Sequence, residues 1–313
     1  MSATANGGAS APRPDAADLI HTRIWHETPE PDNPFATRHA LCRGYDVYGQ
    51  LVGRARWVEM LYLLLRDEAA APSALDMLEA LAVALANPGP RDASVHAAMC
   101  GAVGGSTAAA SLIAALSVGA GRHGGARDVH DAMVLWQACG PDLPAWRRHL
   151  EAQADAPIDP WPRSARLPGF DPHGASTPTV VRQLLATLVT VGGDNGHGYT
   201  GWLLQQLDQL PALAGLPLAI SGVAAAALCD LGLTPDEGEM LYLLLRLPGA
   251  AAHALEQKNG GFKRFPFYPV ALSTPGEPPA QAAGVAGVAG VTSGMEPGAE
   301  SGVNSGVHAG VAP

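Results

Sequence analysis

Between Val95 and Gly121 the chain carries no Asp, Glu, Lys or Arg, and alanine, glycine and serine fill most of the positions. The run exceeds the ~18 residues that read as a membrane span. Ala, Gly and Ser, however, transfer weakly into hydrocarbon, and a histidine, His96, sits among them. Small side chains instead let helix backbones approach closely. The run is therefore expected to form closely packed buried helices, broken near Gly104-Gly105, and not to enter a membrane.

The rest of the chain agrees with a helical fold. Hydrophobic residues make up 47% of the sequence but aromatic ones only 5%, so the apolar content is Ala, Leu and Val. Alanine and leucine favour helices, whereas β-branched and aromatic residues favour sheets. Helices are expected from Trp57, over 73–85, 94–118, 126–138, 143–154, 178–190 and 200–209. The segment Asn87-Pro-Gly-Pro90 stops the second of these. Thr177-Pro178 and Thr234-Pro235-Asp-Glu237 read as N-caps followed by a first-turn proline, the latter with the glutamate of a capping box. No strand with a period of two stands out. Residues 22–47, with Pro29, Pro31 and Pro34, read as extended or looped.

One octapeptide occurs twice: Glu59-Met-Leu-Tyr-Leu-Leu-Leu-Arg66 returns unchanged at Glu239–Arg246. Two distant copies do not make a solenoid; they read as two buried helices with similar cores. Residues 1–35 are expected to be a disordered leader and 273–313 a disordered Gly/Ala/Val-rich tail, too poor in bulk for a core.

Charge and cysteines narrow the function. A net charge of −10 with no basic run argues against nucleic acid and anionic membranes as partners. The four cysteines are scattered without a C-x-x-C pair, so neither a disulfide framework nor a zinc module is expected. No metal is expected, since no H-E-x-x-H or clustered Cys/His set occurs. Without an apolar segment near the N-terminus, the default location is cytoplasmic.

The most suggestive residue is His123, framed by glycines in Gly121-Arg-His-Gly-Gly-Ala126 just before an expected helix. Glycines on both sides let a ligand approach and let the imidazole be presented from an unusual backbone. The ordinary alternative is a hydrogen-bonded loop histidine.

This segment resembles the G-P-L-H-G-G-A signature of the citrate synthase superfamily, citryl-CoA lyases included. Other segments follow in the family's order. Arg43-Gly-Tyr-Asp46 with Glu59 and Tyr62-Leu-Leu-Leu65 is similar to its R-G-Y…E…Y-L-L-L block. Asn87 to His96 resembles the segment ahead of its buried interface helices. Arg246-Leu-Pro-Gly249…Ala252-His253…Glu256 is similar to its R-x-x-G…A-H…E block. The resemblance covers about residues 36–270. It implies an all-α, citrate synthase-like fold over 36–272, with a large helical domain, a small one at roughly 142–215, and a homodimer joined by the uncharged helices.

The resemblance also implies chemistry on a coenzyme A thioester and a 2-oxo acid. His123 would polarise the thioester carbonyl, because an enolate needs a donor where its charge develops. By resemblance Arg246 would bind a substrate carboxylate, and Lys263 and Arg264 would reach a neighbouring subunit's active site or a coenzyme A phosphate. The ordinary alternatives are a surface ion pair and a solvated charge cluster. His96, read from its own helix, either faces the site or is a satisfied interior histidine. The family's second histidine falls in a compressed run, Pro168-Gly-Phe-Asp-Pro-His-Gly174, which offers His173 and Asp171. At the position of the family's catalytic aspartate stands Ser221, which cannot be a carboxylate base. Either another carboxylate, such as Asp171 or Asp194, takes over, or the chemistry differs. His197 lies in a glycine-rich loop without the features of a nucleotide cradle. A citryl-CoA lyase or citrate synthase-like enzyme is therefore expected. A non-catalytic homologue that binds coenzyme A or a dicarboxylate for a partner protein is the alternative.

Overall fold

A computed structural model of the chain describes residues 21–154, 167–193 and 198–266. These belong to one compact unit, Met1–Pro266, and the second unit, Phe267–Pro313, lies outside the described residues. The expectations for the leader before residue 21 and for the tail lie outside them as well.

The described chain opens with a small antiparallel sheet, ordered β1 (Trp25–Pro29), β2 (Thr37–Cys42), β3 (Tyr45–Asp46). This corrects the reading of 22–47 as extended or looped without a strand. The strands have no apolar face to announce them: β1 is exposed throughout, and β2 buries only Ala40 and Cys42. Pairing across the sheet forms them instead, with Trp25 opposite Cys42 and Thr28 opposite His39. Glu27 adds a side-chain tie, accepting a hydrogen bond from Thr37 Oγ1 at 2.9 Å.

Eleven α-helices follow among the described residues: α1 (Trp57–Leu65), α2 (Pro72–Leu85), α3 (Ala93–Val103), α4 (Ala108–Gly119), α5 (Ala126–Cys139), α6 (Leu143–Ala154), α7 (Thr179–Val191), α8 (Tyr199–Gln205), α9 (Gln209–Ala214), α10 (Ile220–Asp230) and α11 (Pro235–Gly260). The uncharged run is α3 and α4, separated at Gly104-Gly105. None of the described helices is long and apolar enough to cross a membrane. The helix expected over 200–209 is two short ones, α8 ending at Gln205 and α9 beginning at Gln209.

Thr234 caps α11 in the expected way. Its hydroxyl accepts from Glu237 N–H at 3.3 Å, and Glu237 accepts from Thr234 N–H at 2.7 Å. Thr177 does not cap α7; its hydroxyl accepts instead from Leu218 N–H at 3.0 Å. That tertiary bond ties the start of α7 to the segment before α10. Pro248 sits inside α11, and the next N–H, of Gly249, donates outside the helix to Ala86 O at 2.7 Å.

The core centres on α10, where every residue from Ser221 to Leu228 is buried, against α5 and α8. Trp136 of α5 is its aromatic hub, with ring centroids 4.9 Å from Trp146 and 5.9 Å from Trp202. Its indole N–H donates to Gly222 O at 3.3 Å, joining α5 to α10. A second, smaller cluster is built from α3, α4 and α11 through Val95, Ala98, Ala115 and Ala250. The two octapeptide copies share a role: Leu61 and Leu241 are buried, and Tyr62 and Tyr242 each donate to a distant backbone carbonyl.

Candidate active site

A cavity of about 450 Å³ opens where three chain segments meet: the α4–α5 loop with the first turn of α5, residues 170–181, and the first turn of α10. Local rules shape the first segment. Gly124 has φ of +71°, which favours glycine, and a β-carbon on Gly125 would stand 2.4 Å from Gly121 O. The loop therefore folds tightly on itself, with His123 exposed at its tip and Arg122 beside it.

Two buried side chains hold this loop from α11. Arg246 donates to Gly124 O at 3.4 Å, and Tyr242 O–H donates to the same oxygen at 3.4 Å. Burial pushes the Tyr242 phenol up, against the lowering effect of Arg246, so it stays protonated and able to donate. The Arg246 guanidinium stacks 5.0 Å from the Tyr242 ring and pairs with Asp92 at the start of α3.

The second segment is pinned to the third. Asp171 N–H donates to Pro217 O at 2.9 Å and Ala219 N–H to Gly169 O at 3.0 Å, around a bridge between Phe170 and Leu218. Asp171 Oδ1 accepts from His173 N–H at 2.9 Å, which turns the chain and presents His173 at the cavity.

Thus His123, Asp171, His173 and Ser221 all line one cavity. The remaining expected site residues lie elsewhere. Arg246 is buried in mid-helix and engaged with Asp92; it is not among the lining residues. His96 on α3 packs its ring 5.9 Å from Phe265. Lys263 and Arg264 are exposed on a short 3₁₀ turn after α11. Asp194 and His197 lie outside the described residues.

The cavity also contains a carboxylate that reading the sequence passed over. Asp128, in the first turn of α5, is 3% exposed and lines the cavity, and Ser221 O–H donates to its Oδ2 at 2.6 Å. In the sequence it resembles any first-turn acid at a helix N-terminus. Its spacing of five residues from His123 was the available signal. The rest of the lining is mainly apolar, including Phe170, Val180, Val181, Leu218 and Ile220, and Arg122 is its one Arg or Lys. Such a site can polarise a carbonyl, accept a proton and hold a negatively charged group.

His130, Asp236 and Glu239 form a separate cluster, with one ligand atom each within 4.8 Å of the others. Arg127 already pairs with Glu239 at 3.2 Å, and Asp236 is exposed. The cluster is a surface ion-pair network.

No protein-family model matches the sequence, and no curated protein matches it. Solved structures do. Citryl-CoA lyase from Hydrogenobacter thermophilus superposes with a TM-score of 0.64 at 20% identity, over 83% of this chain and 98% of that one. The fold is citrate synthase-like. ATP citrate lyase from Methanothrix soehngenii, in complex with citrate and coenzyme A, matches with a TM-score of 0.61 at 19% identity. So does Methanosaeta concilii ATP citrate lyase in complex with (3S)-citryl-CoA, at 0.61 and 18%. The chain spans 47% and 43% of those two enzymes and nearly the whole of the citryl-CoA lyase. At these identities the likeness establishes the citrate synthase-like fold, and the functional argument rests on the cavity.

Proposed function

We propose that the chain makes or breaks a carbon–carbon bond beside a coenzyme A thioester. It acts as a citryl-CoA lyase, yielding acetyl-CoA and oxaloacetate, or in the reverse, citrate synthase-like direction. The observation that carries this reading is one cavity lined by His123 and by a buried carboxylate. Enolate chemistry requires that pair: a donor for the thioester oxygen and a base for the adjacent carbon. The ATP citrate lyases of this fold hold citrate, coenzyme A or citryl-CoA, ligands of the same chemistry.

In this reading His123 donates a hydrogen bond to the thioester oxygen. His173 and Arg122 face the 2-oxo acid, Arg122 binding its carboxylate. The small domain expected over roughly 142–215, part of which lies outside the described residues, would close over the thioester. The chain works as a cytoplasmic homodimer joined through α3 and α4, in which Lys263 and Arg264 reach a coenzyme A phosphate. The reaction needs only proton transfers and charge stabilisation, and no metal is assigned a role.

The test is an assay of acetyl-CoA formation from citryl-CoA and of thiol release from acetyl-CoA with oxaloacetate. Turnover in either direction, lost in His123→Ala, is the expected result; full activity in that variant sinks the assignment of His123. A second reading is favoured by Ser221, which stands where the family carries its aspartate: a binding homologue without catalysis. Calorimetric binding of coenzyme A with both assays flat would establish it.

A further inference from the structure

We infer that Asp128 is the catalytic base of this cavity, with Ser221 as its positioning residue. The inference rests on the proposed enolate chemistry, which demands a carboxylate near His123 and leaves open which one. Asp128 is buried, lines the cavity and accepts a 2.6 Å hydrogen bond from Ser221 O–H. It enters from the helix that directly follows the His123 loop, and Ser221 enters from the opposite wall at the start of α10. The serine hydroxyl fixes the position of the carboxylate through its Oδ2.

The competing carboxylate has a different task. Asp171 is half-buried, and its Oδ1 is engaged by His173 N–H in the turn that presents His173. Its removal would undo the turn before it removed a base. Burial also separates the two: Asp128 is 3% exposed and held by a side chain from α10, whereas Asp171 is half-buried and spent on its own turn.

The step balances within the cavity. Asp128 takes one proton from the carbon next to the thioester, and the C–H electron pair becomes the C=C bond of the enolate. Negative charge moves to the thioester oxygen, where His123 donates to it. In the cleavage direction Asp128 starts protonated. His173 takes the hydroxyl proton of the citryl group, the O–H pair becomes the C=O of the 2-oxo acid, and the C–C pair becomes the enolate C=C. The Asp128 carboxyl then gives its proton to the enolate carbon.

Three proteins test this: Asp128→Asn, Ser221→Ala, and Asp128→Ser combined with Ser221→Asp, which exchanges the two groups across their contact. Asp128→Asn should lower kcat about 10²–10⁴-fold, with coenzyme A binding by calorimetry unchanged and the acid limb of the kcat–pH profile abolished. Ser221→Ala should keep that limb but displace it, with a smaller loss of kcat. The exchanged protein should recover turnover at least tenfold over Asp128→Asn. An active wild type whose Asp128→Asn variant keeps kcat within threefold overturns the inference. If Asp128→Asn does not fold, the exchanged protein decides: regained turnover upholds the assignment, and a folded, inactive protein overturns it. A wild type inactive in both directions overturns the proposed function itself and this inference with it.

Discussion

Gly169 and Gly222 meet backbone against backbone: a β-carbon on Gly222 would stand 2.3 Å from the Gly169 carbonyl oxygen. This contact presses the segment that carries Asp171 and His173 onto the first turn of α10, which carries Ser221. Two loops far apart in the chain therefore form one wall of the cavity. Trp136 secures the same point from the core through its hydrogen bond to Gly222 O.

Gly222→Ala is expected to force these backbones apart. The loss of stability should fall at or above the top of the usual range for overpacking, about 1–3 kcal/mol. Turnover should fall further than stability accounts for, because Ser221 and His173 separate. Urea unfolding and kcat measured on the same preparation check both effects. An alanine tolerated without loss of stability would contradict the close approach.

Arg246 and Tyr242 converge on Gly124 O and so hold the His123 loop. Arg246→Ala leaves Asp92 without its cation and should cost about 2–3 kcal/mol, the scale of a hydrogen-bonded charged partner lost from a half-buried site. Tyr242→Phe removes one neutral bond and should cost about 1 kcal/mol. Both should reduce kcat, with little change in KM for the 2-oxo acid. A large KM effect for that acid with unchanged stability would instead place Arg246 on the substrate.

Arg122 is the cation that lines the cavity. Arg122→Ala should raise KM for the 2-oxo acid about 10–100-fold, the equivalent of about 1.5–3 kcal/mol for a charge-assisted hydrogen bond. Stability should be unchanged, because the side chain is exposed. Steady-state kinetics at varied 2-oxo acid and fixed thioester measures it.

Cysteine chemistry gives a pH prediction. Burial, reinforced by Asp230, pushes the Cys229 thiol from 9.0 up to about 12. Above pH 9 the unfolded chain releases this proton while the folded one keeps it. Stability contributed by the neutral thiol is thus complete below about pH 9 and is lost as pH rises toward 12. Chemical denaturation across that window should show the decline, and Cys229→Ala should flatten it. At pH 8 a thiol reagent should label exposed Cys100 first, with Cys42, Cys139 and Cys229 reacting only on unfolding.

Much of the architecture follows from local pattern. Proline and glycine breaks bound the helices, small uncharged residues produce the α3–α4 pair, and Thr234 with Glu237 caps α11 as its sequence dictates. His123 stands out because glycines on both sides fix an unusual loop within six residues. The sheet did not announce itself, since its strands are mostly exposed and depend on pairing partners rather than on an alternating apolar face.

What the sequence determined by itself is therefore the helical class, most helix boundaries and the His123 loop, all properties set by residues within a few turns of one another. Tertiary structure alone decided the rest of the cavity. It turned Thr177 from a helix cap into a tie to Leu218, and buried Arg246 against Asp92. It also placed Asp128 against Ser221, a contact between residues 93 apart in the chain. Such contacts depend on helices docking side by side, and that docking is fixed by packing of the whole core rather than by any local signal.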